Sequence, residues 1–191
     1  MEMPDDNINV CGKLLIAMPG MGDPRFEKSV VYMCAHSDDG AMGLIINKPT
    51  PEVTFKNLLD QLSIEFTSND RATPIYFGGP VELGRGFVLH TAEYHLEEST
   101  LKVDEQFGMT ATRDVLTDMA NGAGPKKALV ALGYAGWGAG QLESELQQNG
   151  WLTCDATPDV VFETPDVDKW AAALKLLGVD ALMLSATAGH A

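Results

Sequence analysis

The sequence predicts an α+β fold in one domain, and three observations lead to this prediction. Strand-like and helical runs follow one another along the 191 residues without the regular alternation of a doubly wound parallel sheet. Two of the strand-like runs are separated only by Ser37-Asp38-Asp39-Gly40, a turn sequence that favours an antiparallel hairpin. The chain length fits one domain at about 150 residues per domain. We therefore expect a polar, flexible arm over residues 1–11 and a single domain over residues 12–191.

The strand predictions rest on apolar, β-branched and aromatic runs that are bounded by turn residues. The run over residues 128–132 is apolar at every position, which is typical of a central strand covered on both faces. The predicted strands are Leu14–Met18, Val30–His36, Gly43–Asn47, Ile75–Phe77, Gly86–His90, Phe107–Thr112, Ala128–Tyr134, Trp151–Cys154 and Val160–Glu163.

Four helices are predicted from apolar residues at helical spacing and from their capping residues. Thr54 is the predicted cap of the first, whose apolar positions are Phe55, Leu58, Leu59 and Leu62. The second and third cover Arg113–Asn121 and Gln141–Gln148. The fourth opens after Pro165, takes Asp166 as its cap, buries Trp170, Leu174 and Leu177, and stops at Gly178.

Charge restricts the classes of partner. The chain has 13 Lys and Arg against 27 Asp and Glu, so its formal net charge is −14. A protein that neutralises phosphates needs a basic face, so this charge argues against direct nucleic-acid binding. The acidic N-terminus does not resemble a secretory signal, and the longest apolar runs are shorter than a membrane span. Three widely spaced cysteines fit a reducing compartment, so we expect a cytoplasmic protein without membrane contact.

Cys34-Ala35-His36 is the first candidate for chemistry, because residues two apart on a strand point to the same face. A neighbouring imidazolium lowers the pKa of a thiol and makes a thiolate nucleophile, provided that the ring reaches the sulfur. The alternative is a buried cysteine in the core and a hydrogen-bonded histidine at the strand end.

A glycine-rich stretch over residues 133–143 is the second candidate, since backbone amides at a helix N-terminus bind anions. It lacks the Gly-Lys-Ser/Thr of a phosphate-binding P-loop, and Gln141 stands where a dinucleotide fingerprint has its third glycine. Glu143 and Glu145 would also repel a phosphate. We therefore favour a tight strand-to-helix turn with close backbone packing.

Residues 77–87 form the third candidate, which reads as an elaborate turn between two strands. Arg85 lies among its glycines and can bind a carboxylate or phosphate, or pair with one of the many acidic side chains. His90, His95 and His190 match no zinc spacing, so we expect no metal and no cofactor.

Several motifs in a fixed order carry a resemblance to a known family. They are Gly12-Lys-Leu-Leu-Ile-Ala-Met-Pro19, Asp23-Pro24-x-Phe26, Cys34-x-His36, Gly40-Ala-Met-Gly-Leu-Ile-Ile-Asn47-Lys48-Pro49, Gly78-Gly79-Pro80-Val81, Arg85-Gly86-Phe87-Val88-Leu89-His90, Tyr134-Ala135-Gly136-Trp137-x-x-Gly140-Gln141-Leu142-Glu143 and Asn149-x-Trp151. In this order the chain resembles the bacterial AlgH/YqgE family from about residue 12 to its end.

The resemblance implies a mixed, largely antiparallel, bifurcated β-sheet that forms a pseudo-barrel flanked by about four helices. It brings no established activity, although some members of the family are labelled transcriptional regulators. The motif residues become candidate ligand-binding residues: Asn47, Gly78, Gly79, Arg85, His90, Tyr134, Gly136, Trp137 and Gln141.

Two functional hypotheses follow. The leading one is a non-enzymatic binding or regulatory protein that contacts an unknown protein partner or small ligand, with Tyr134 and Trp137 framing a groove. The alternative is a thiol-dependent enzyme or redox sensor that uses Cys34 as nucleophile and His36 to tune it. The location of Cys34, in the core or in a cleft, distinguishes the two hypotheses.

Overall fold

The computed structural model of the chain describes residues 8–20, 23–65 and 73–188, and these residues form a mixed α+β domain. The part described contains nine strands, five α-helices and three short helical turns. The strands are β1 (Lys13–Ala17), β2 (Val30–Ser37), β3 (Gly40–Ile45), β4 (Ile75–Phe77), β5 (Val81–Thr91), β6 (Thr100–Lys102), β7 (Phe107–Thr110), β8 (Ala128–Gly138) and β9 (Trp151–Asp155). The helices are α1 (Phe55–Gln61), α2 (Arg113–Ala120), α3 (Gln141–Gln147), α4 (Lys169–Leu176) and α5 (Ala181–Ala188), and the short turns are Pro24–Phe26, Asp159–Glu163 and Asp166–Asp168.

The nine strands form one curled sheet, a half-barrel, in the order β6-β7-β5-β8-β3-β2-β1-β9. Neighbouring strands along this path are antiparallel, while β4 lies beside β8 as a parallel strand off the path. The predicted largely antiparallel, bifurcated sheet is confirmed. The five helices exceed the predicted four because α5 was not predicted.

The bifurcation lies in the long strand β8. Its first half pairs with β4 and β5, and its second half, from Ala135 to Gly138, pairs with β3. Gly133, between the halves, has a φ of 74°, and a Cβ there would lie 2.4 Å from the carbonyl oxygen of Gly79. Gly78 links the first half of β8 to strand β3. Its N–H donates to the Leu132 carbonyl at 2.8 Å, and its carbonyl accepts from the Ile45 amide at 2.8 Å. We call Gly78, Gly79 and Gly133, together with these contacts, the crossing region.

The apolar residues divide into three buried layers. The inner layer fills the half-barrel and includes Tyr32, Phe107 and Trp170 of α4. A second layer packs α3 through Leu142 against the outside of β1, β2 and β8. The third packs α1 and α2 against the outside of β4, β5 and β8, around Val130. Because β8 contributes to all three layers, its predicted central position is confirmed.

The predicted hairpin is confirmed, with Ser37 opposite Gly40 and Asp38-Asp39 between them. The Thr54 cap is confirmed as well, since its hydroxyl accepts from the Asn57 amide and the Asn57 side chain accepts from the Thr54 amide. The predicted strand at Val160–Glu163 is wrong. That segment is a single helical turn, in which the Thr164 amide donates to the Asp159 carbonyl at 2.9 Å.

The two glycine-rich stretches differ from their predictions as well. Residues 133–138 continue strand β8 instead of forming a turn, so the connection to α3 is limited to Ala139 and Gly140. Residues 81–87 belong to β5, with a bulge between Val81 and Gly86. In both places glycine permits close strand contact within a sheet, which the glycine content alone does not distinguish from a turn.

The first residues of the chain lie partly outside the described part. Residues 1–7 of the predicted arm are not among the described residues. Val10, within the same predicted arm, is buried in the layer under α3. No helix in the part described is long and apolar enough to cross a bilayer.

Candidate functional site

A cleft of about 690 Å³ opens between the tip of the β2–β3 hairpin and strand β5. Five residues selected from separate sequence motifs line it: His36, Arg85, Tyr134, Gly136 and Trp137. The crossing region explains this convergence, because it places the second half of β8 next to both the hairpin and the start of β5. We call this space the cleft.

Apolar side chains form much of the cleft wall. Phe87 and Tyr134 meet edge to face, with ring centroids 5.8 Å apart and planes at 80°. Met42 and Met109 line the cleft beside them, and both pack on the inner layer. Edge-to-face aromatic pairs hold both rings in place, and methionine adapts its shape to a bound group. This wall is suited to a planar apolar group.

Arg85 provides a cation in the cleft, and its side chain is 56% exposed. Its guanidinium lies 5.1 Å above the ring of Phe87 and 3.6 Å from a carboxylate oxygen of Glu82. The second distance exceeds that of a hydrogen bond, so the pair with Glu82 leaves the planar fork of donors available. Asp39 and Glu82 also line the cleft, which therefore offers both signs of charge.

His36 closes one side of the cleft, and only 4% of its side chain is exposed. The Val10 amide donates to its Nδ1 at 3.1 Å, while its Nε2 contacts the carboxylate of Glu143 on α3. Since Nδ1 accepts a hydrogen bond, the neutral ring carries its proton on Nε2 and donates it to Glu143. This bond lowers the pKa of Glu143 below its ordinary value. His36 thus ties the hairpin to α3 and to residue 10.

Trp137 is among the residues that line the cleft, while its ring packs in the buried layer under α3 on the other face of β8. Its ring is 7% exposed and meets Trp151 edge to face at 6.0 Å. Its indole N–H donates to Glu145 at 2.6 Å, so the ring is held by both packing and hydrogen bonding. Gln141 lies outside the cleft and caps the strand end, because its side-chain oxygen accepts from the Gly138 amide at 3.0 Å.

Cys34 lies in the core. Its side chain is 1% exposed within the inner layer, and burial raises the pKa of its thiol well above the usual range. The thiol points toward the Tyr32 carbonyl, while both ring nitrogens of His36 have other partners. A nucleophilic thiolate needs the opposite surroundings, so this position gives the thiol hypothesis no support.

Asn47, Gly78 and Gly79 hold the fold together around the cleft without lining it. The side chain of Asn47 accepts from the Val30 amide at 3.0 Å and donates to the Lys28 carbonyl at 2.8 Å. A Cβ at Gly79 would lie 2.0 Å from the carbonyl carbon of Tyr134. These motif residues therefore position the cleft instead of touching its contents.

His90 lies elsewhere, buried between β5 and β7. Its Nδ1 bonds the Thr91 carbonyl at 2.9 Å and its Nε2 bonds the Thr110 hydroxyl at 2.8 Å. Burial lowers the pKa of His90 and so favours the neutral ring, in which the Nδ1 N–H donates to the Thr91 carbonyl and Nε2 accepts from the Thr110 hydroxyl. Within the described ranges, no three His, Cys, Asp or Glu side chains are grouped to hold a metal.

An ion pair that the sequence motifs do not predict joins the buried Lys169 to Asp166 outside the cleft. Lys169 is 1% exposed, and its ammonium contacts Asp166 at 2.9 Å and the Ile46 carbonyl at 2.7 Å. The hydroxyl of Tyr76 donates to Asp166 at 2.8 Å. The i, i+3 spacing of Asp166 and Lys169 was a visible signal, but that spacing is also common on exposed helical surfaces.

Comparison with known proteins now defines the class to which this fold and cleft belong. The family model described as DUF179, AlgH-like, matches residues 14–182. A UPF0301 protein of Paracoccus denitrificans is 56% identical over 189 residues, covering 98% of this chain and 100% of that protein. A UPF0301 protein of Ruegeria pomeroyi is 58% identical over 185 residues, covering 96% of this chain and 100% of that protein.

Solved structures agree with these relatives. The solution structure of the AlgH protein from Pseudomonas aeruginosa is 44% identical over the full length of both chains, with a TM-score of 0.78. A crystal structure of a Corynebacterium diphtheriae protein shares the fold at 21% identity, with a TM-score of 0.71. The match covers 88% of this chain and 87% of that protein. The chain belongs to the AlgH-like UPF0301 family, as the motif resemblance predicted.

Proposed function

We propose that this chain is a non-enzymatic cytoplasmic binding protein whose cleft takes a small organic ligand with a planar apolar part. The observation that carries the proposal is the convergence of His36, Arg85, Tyr134, Gly136 and Trp137 on one cleft. These residues come from three separate strands, β2, β5 and β8, and each belongs to a motif that the sequence marks as a candidate.

The dimensions and chemistry of the cleft support a small ligand. Ligand sites are concave, of about 300–1,000 Å³, mostly apolar, and carry a few polar groups that fix orientation. The cleft has this volume, an aromatic corner at Phe87 and Tyr134, and the guanidinium of Arg85 beside them. An acceptor oxygen on the ligand would bind Arg85, while the apolar part would lie against the aromatic corner.

The charge of the chain supports action through ligand or protein contact, in preference to direct nucleic-acid binding. The net charge is −14, and helix α3, which follows the cleft strand, carries Glu143 and Glu145 but neither lysine nor arginine. Any regulatory effect is therefore proposed to depend on the ligand or on a protein partner, without contact to phosphates.

Glycine offers a sharp test, because Gly136 lines the cleft and bears no side chain. A Cβ at this position would lie 3.3 Å from the Tyr134 ring and 3.8 Å from Val81, so Gly136→Val places an isopropyl group in the cleft beside the Tyr134 ring with modest displacement. Gly138 lies on the same face of the same strand outside the cleft, and Gly138→Val is the matched control.

The experiment is isothermal titration calorimetry with a panel of indole, indole-3-acetate, benzoate and tryptamine against wild type and both variants. We expect saturable binding of at least one compound to wild type and to Gly138→Val, with loss of about tenfold or more in affinity for Gly136→Val. Circular dichroism checks that both variants fold. Absence of binding across the panel, or binding that Gly136→Val leaves unchanged, would contradict the proposal.

A further inference from the structure

A second, smaller pocket lies on the opposite side of β5 from the cleft, between the sheet and helices α1 and α2. Its volume is about 240 Å³. Apolar side chains from α1, α2, β5 and β8 surround it, chiefly Leu58, Leu62, Leu116, Val88, Val130 and Leu132. The pocket is large enough for about eight water volumes, so a short hydrocarbon chain fits it.

The charge at this pocket is the reverse of that of the chain. Arg85 and Arg113, two of the four arginines in the sequence, line it. Among its described lining residues there is no carboxylate, although acidic residues outnumber basic ones twofold along the chain. The nearest acidic neighbours in sequence, Glu82 and Asp114, do not line it. A cationic rim on an apolar pocket favours a ligand with one negative end.

The donors at this rim have few protein partners. Arg113 reaches the carbonyl of Ser63 at 3.4 Å, and Arg85 reaches Glu82 at 3.6 Å, both longer than an ordinary hydrogen bond. Thr112, the residue before α2, also lines the pocket, and its side chain makes no capping bond. Both guanidinium groups therefore keep donors available for a ligand.

We propose that this pocket binds a small amphiphilic carboxylate. Its carboxylate accepts hydrogen bonds from the guanidinium groups of Arg85 and Arg113. Its hydrocarbon part lies among the leucines and valines of the pocket. Arginine forks match the two oxygens of a carboxylate, and burial of each methylene of the hydrocarbon part adds to the affinity. The pocket shares Arg85 with the cleft, but Arg113 and its leucines belong to the pocket alone, so the proposal does not depend on the function proposed for the cleft.

Three ligands with the same eight-carbon chain and different head groups distinguish the contribution of the carboxylate to binding from that of the hydrocarbon. They are octanoate, octanol and octylammonium. Amide NMR titrations of the full chain follow the signals of Thr112, Arg113 and Leu116. We expect octanoate to bind about tenfold or more tightly than octanol, and octylammonium not to bind at this site. Arg113→Met should reduce octanoate affinity about tenfold, while leaving that of octanol unchanged.

The controls assign the binding to this pocket. Lys175→Met removes one exposed cation of α4 far from the pocket lining and should leave octanoate affinity unchanged. Gly136→Val narrows the cleft at a residue that the pocket does not share, and it should also leave octanoate affinity unchanged, so failure of the cleft proposal and failure of the pocket proposal are distinguishable. Equal affinity for octanoate and octanol, insensitivity to Arg113→Met, or an equal loss with Lys175→Met would overturn the proposal.

Discussion

Two regions of this fold, the crossing region and the cleft, contain glycines for opposite physical reasons. At the crossing region, Cβ atoms on Gly78 and Gly79 would lie within 2.3 Å of backbone atoms of β8. In the cleft, Gly136 has only ordinary or slightly close side-chain contacts, and in the smaller pocket the space beside Gly84 is open. Glycine in the first region allows two halves of a sheet to touch, and glycine in the second keeps a cavity free.

The difference separates support from binding among residues that look alike in the sequence. Gly79 and Gly136 both belong to family motifs, yet only Gly136 lines the cleft. Backbone atoms of β8 lie directly against the glycines of the crossing region, so substitutions there should lower the free energy of unfolding. The cleft has few such contacts, so its substitutions should change binding with little effect on folding. The predictions below test this separation.

The largest expected effect is on stability, from Gly79→Ala in the crossing region. The new methyl group would meet the backbone of Tyr134 and Ala135 at about 2 Å, and backbone cannot move aside as a flexible side chain can. We expect a loss of about 3 kcal/mol or more in the free energy of unfolding, measured by urea denaturation. Gly84→Ala, which meets nothing within 4 Å, should change it by less than about 0.5 kcal/mol. Similar losses for both variants would remove the distinction.

The next effect is expected from Lys169→Met. This change leaves Asp166 and the Ile46 carbonyl without the ammonium that bonds them inside the fold. Removing one partner of a buried ion pair costs about 3–5 kcal/mol. Lys175→Met, on the exposed side of the same helix, is the control and should cost less than about 0.5 kcal/mol. Urea denaturation at pH 7 compares the two, and a loss below about 1 kcal/mol for Lys169→Met would contradict the structural role.

A smaller, pH-dependent effect is expected beside the cleft at Glu143. The bond from His36 lowers the pKa of this carboxyl group in the folded state, so the unfolded chain binds its proton more readily. Its contribution to stability is complete above the unfolded pKa of about 4.3 and is lost as the pH falls through the lowered folded value. The stability difference between wild type and Glu143→Gln should therefore be constant above about pH 5 and shrink as the pH falls below about 4.3. A difference that grows on acidification would contradict this assignment.

Local sequence signals predicted the elements that depend on local physics. Ser37-Asp38-Asp39-Gly40 predicted the hairpin because turn chemistry acts over four residues, and Thr54 predicted the start of α1 because capping acts over three. The run Val160–Glu163 was misassigned as a strand, since buried β-branched residues fit a helical turn just as well when both valines pack on the inner layer.

The candidate site was predictable only as a set of residues. Motifs identified Arg85, Tyr134 and Trp137, but their meeting depends on β8 passing from one half of the sheet to the other at Gly133. Such long-range pairing leaves no local periodicity in the sequence. The same limit applies to Lys169, whose burial is set by the Ile46 carbonyl 123 residues away. Burial also distinguishes Cys34 as a core residue, which strand spacing could not do.

The central claim is that the cleft binds the ligand and the crossing region only supports it. Its most direct test is an amide NMR titration of wild type with the tightest compound of the aromatic panel. The account predicts that shift changes concentrate at His36, Met42, Arg85, Tyr134 and Trp137 and are absent at Gly78 and Asn47. Changes centred on the crossing region, or spread evenly over the chain, would contradict it.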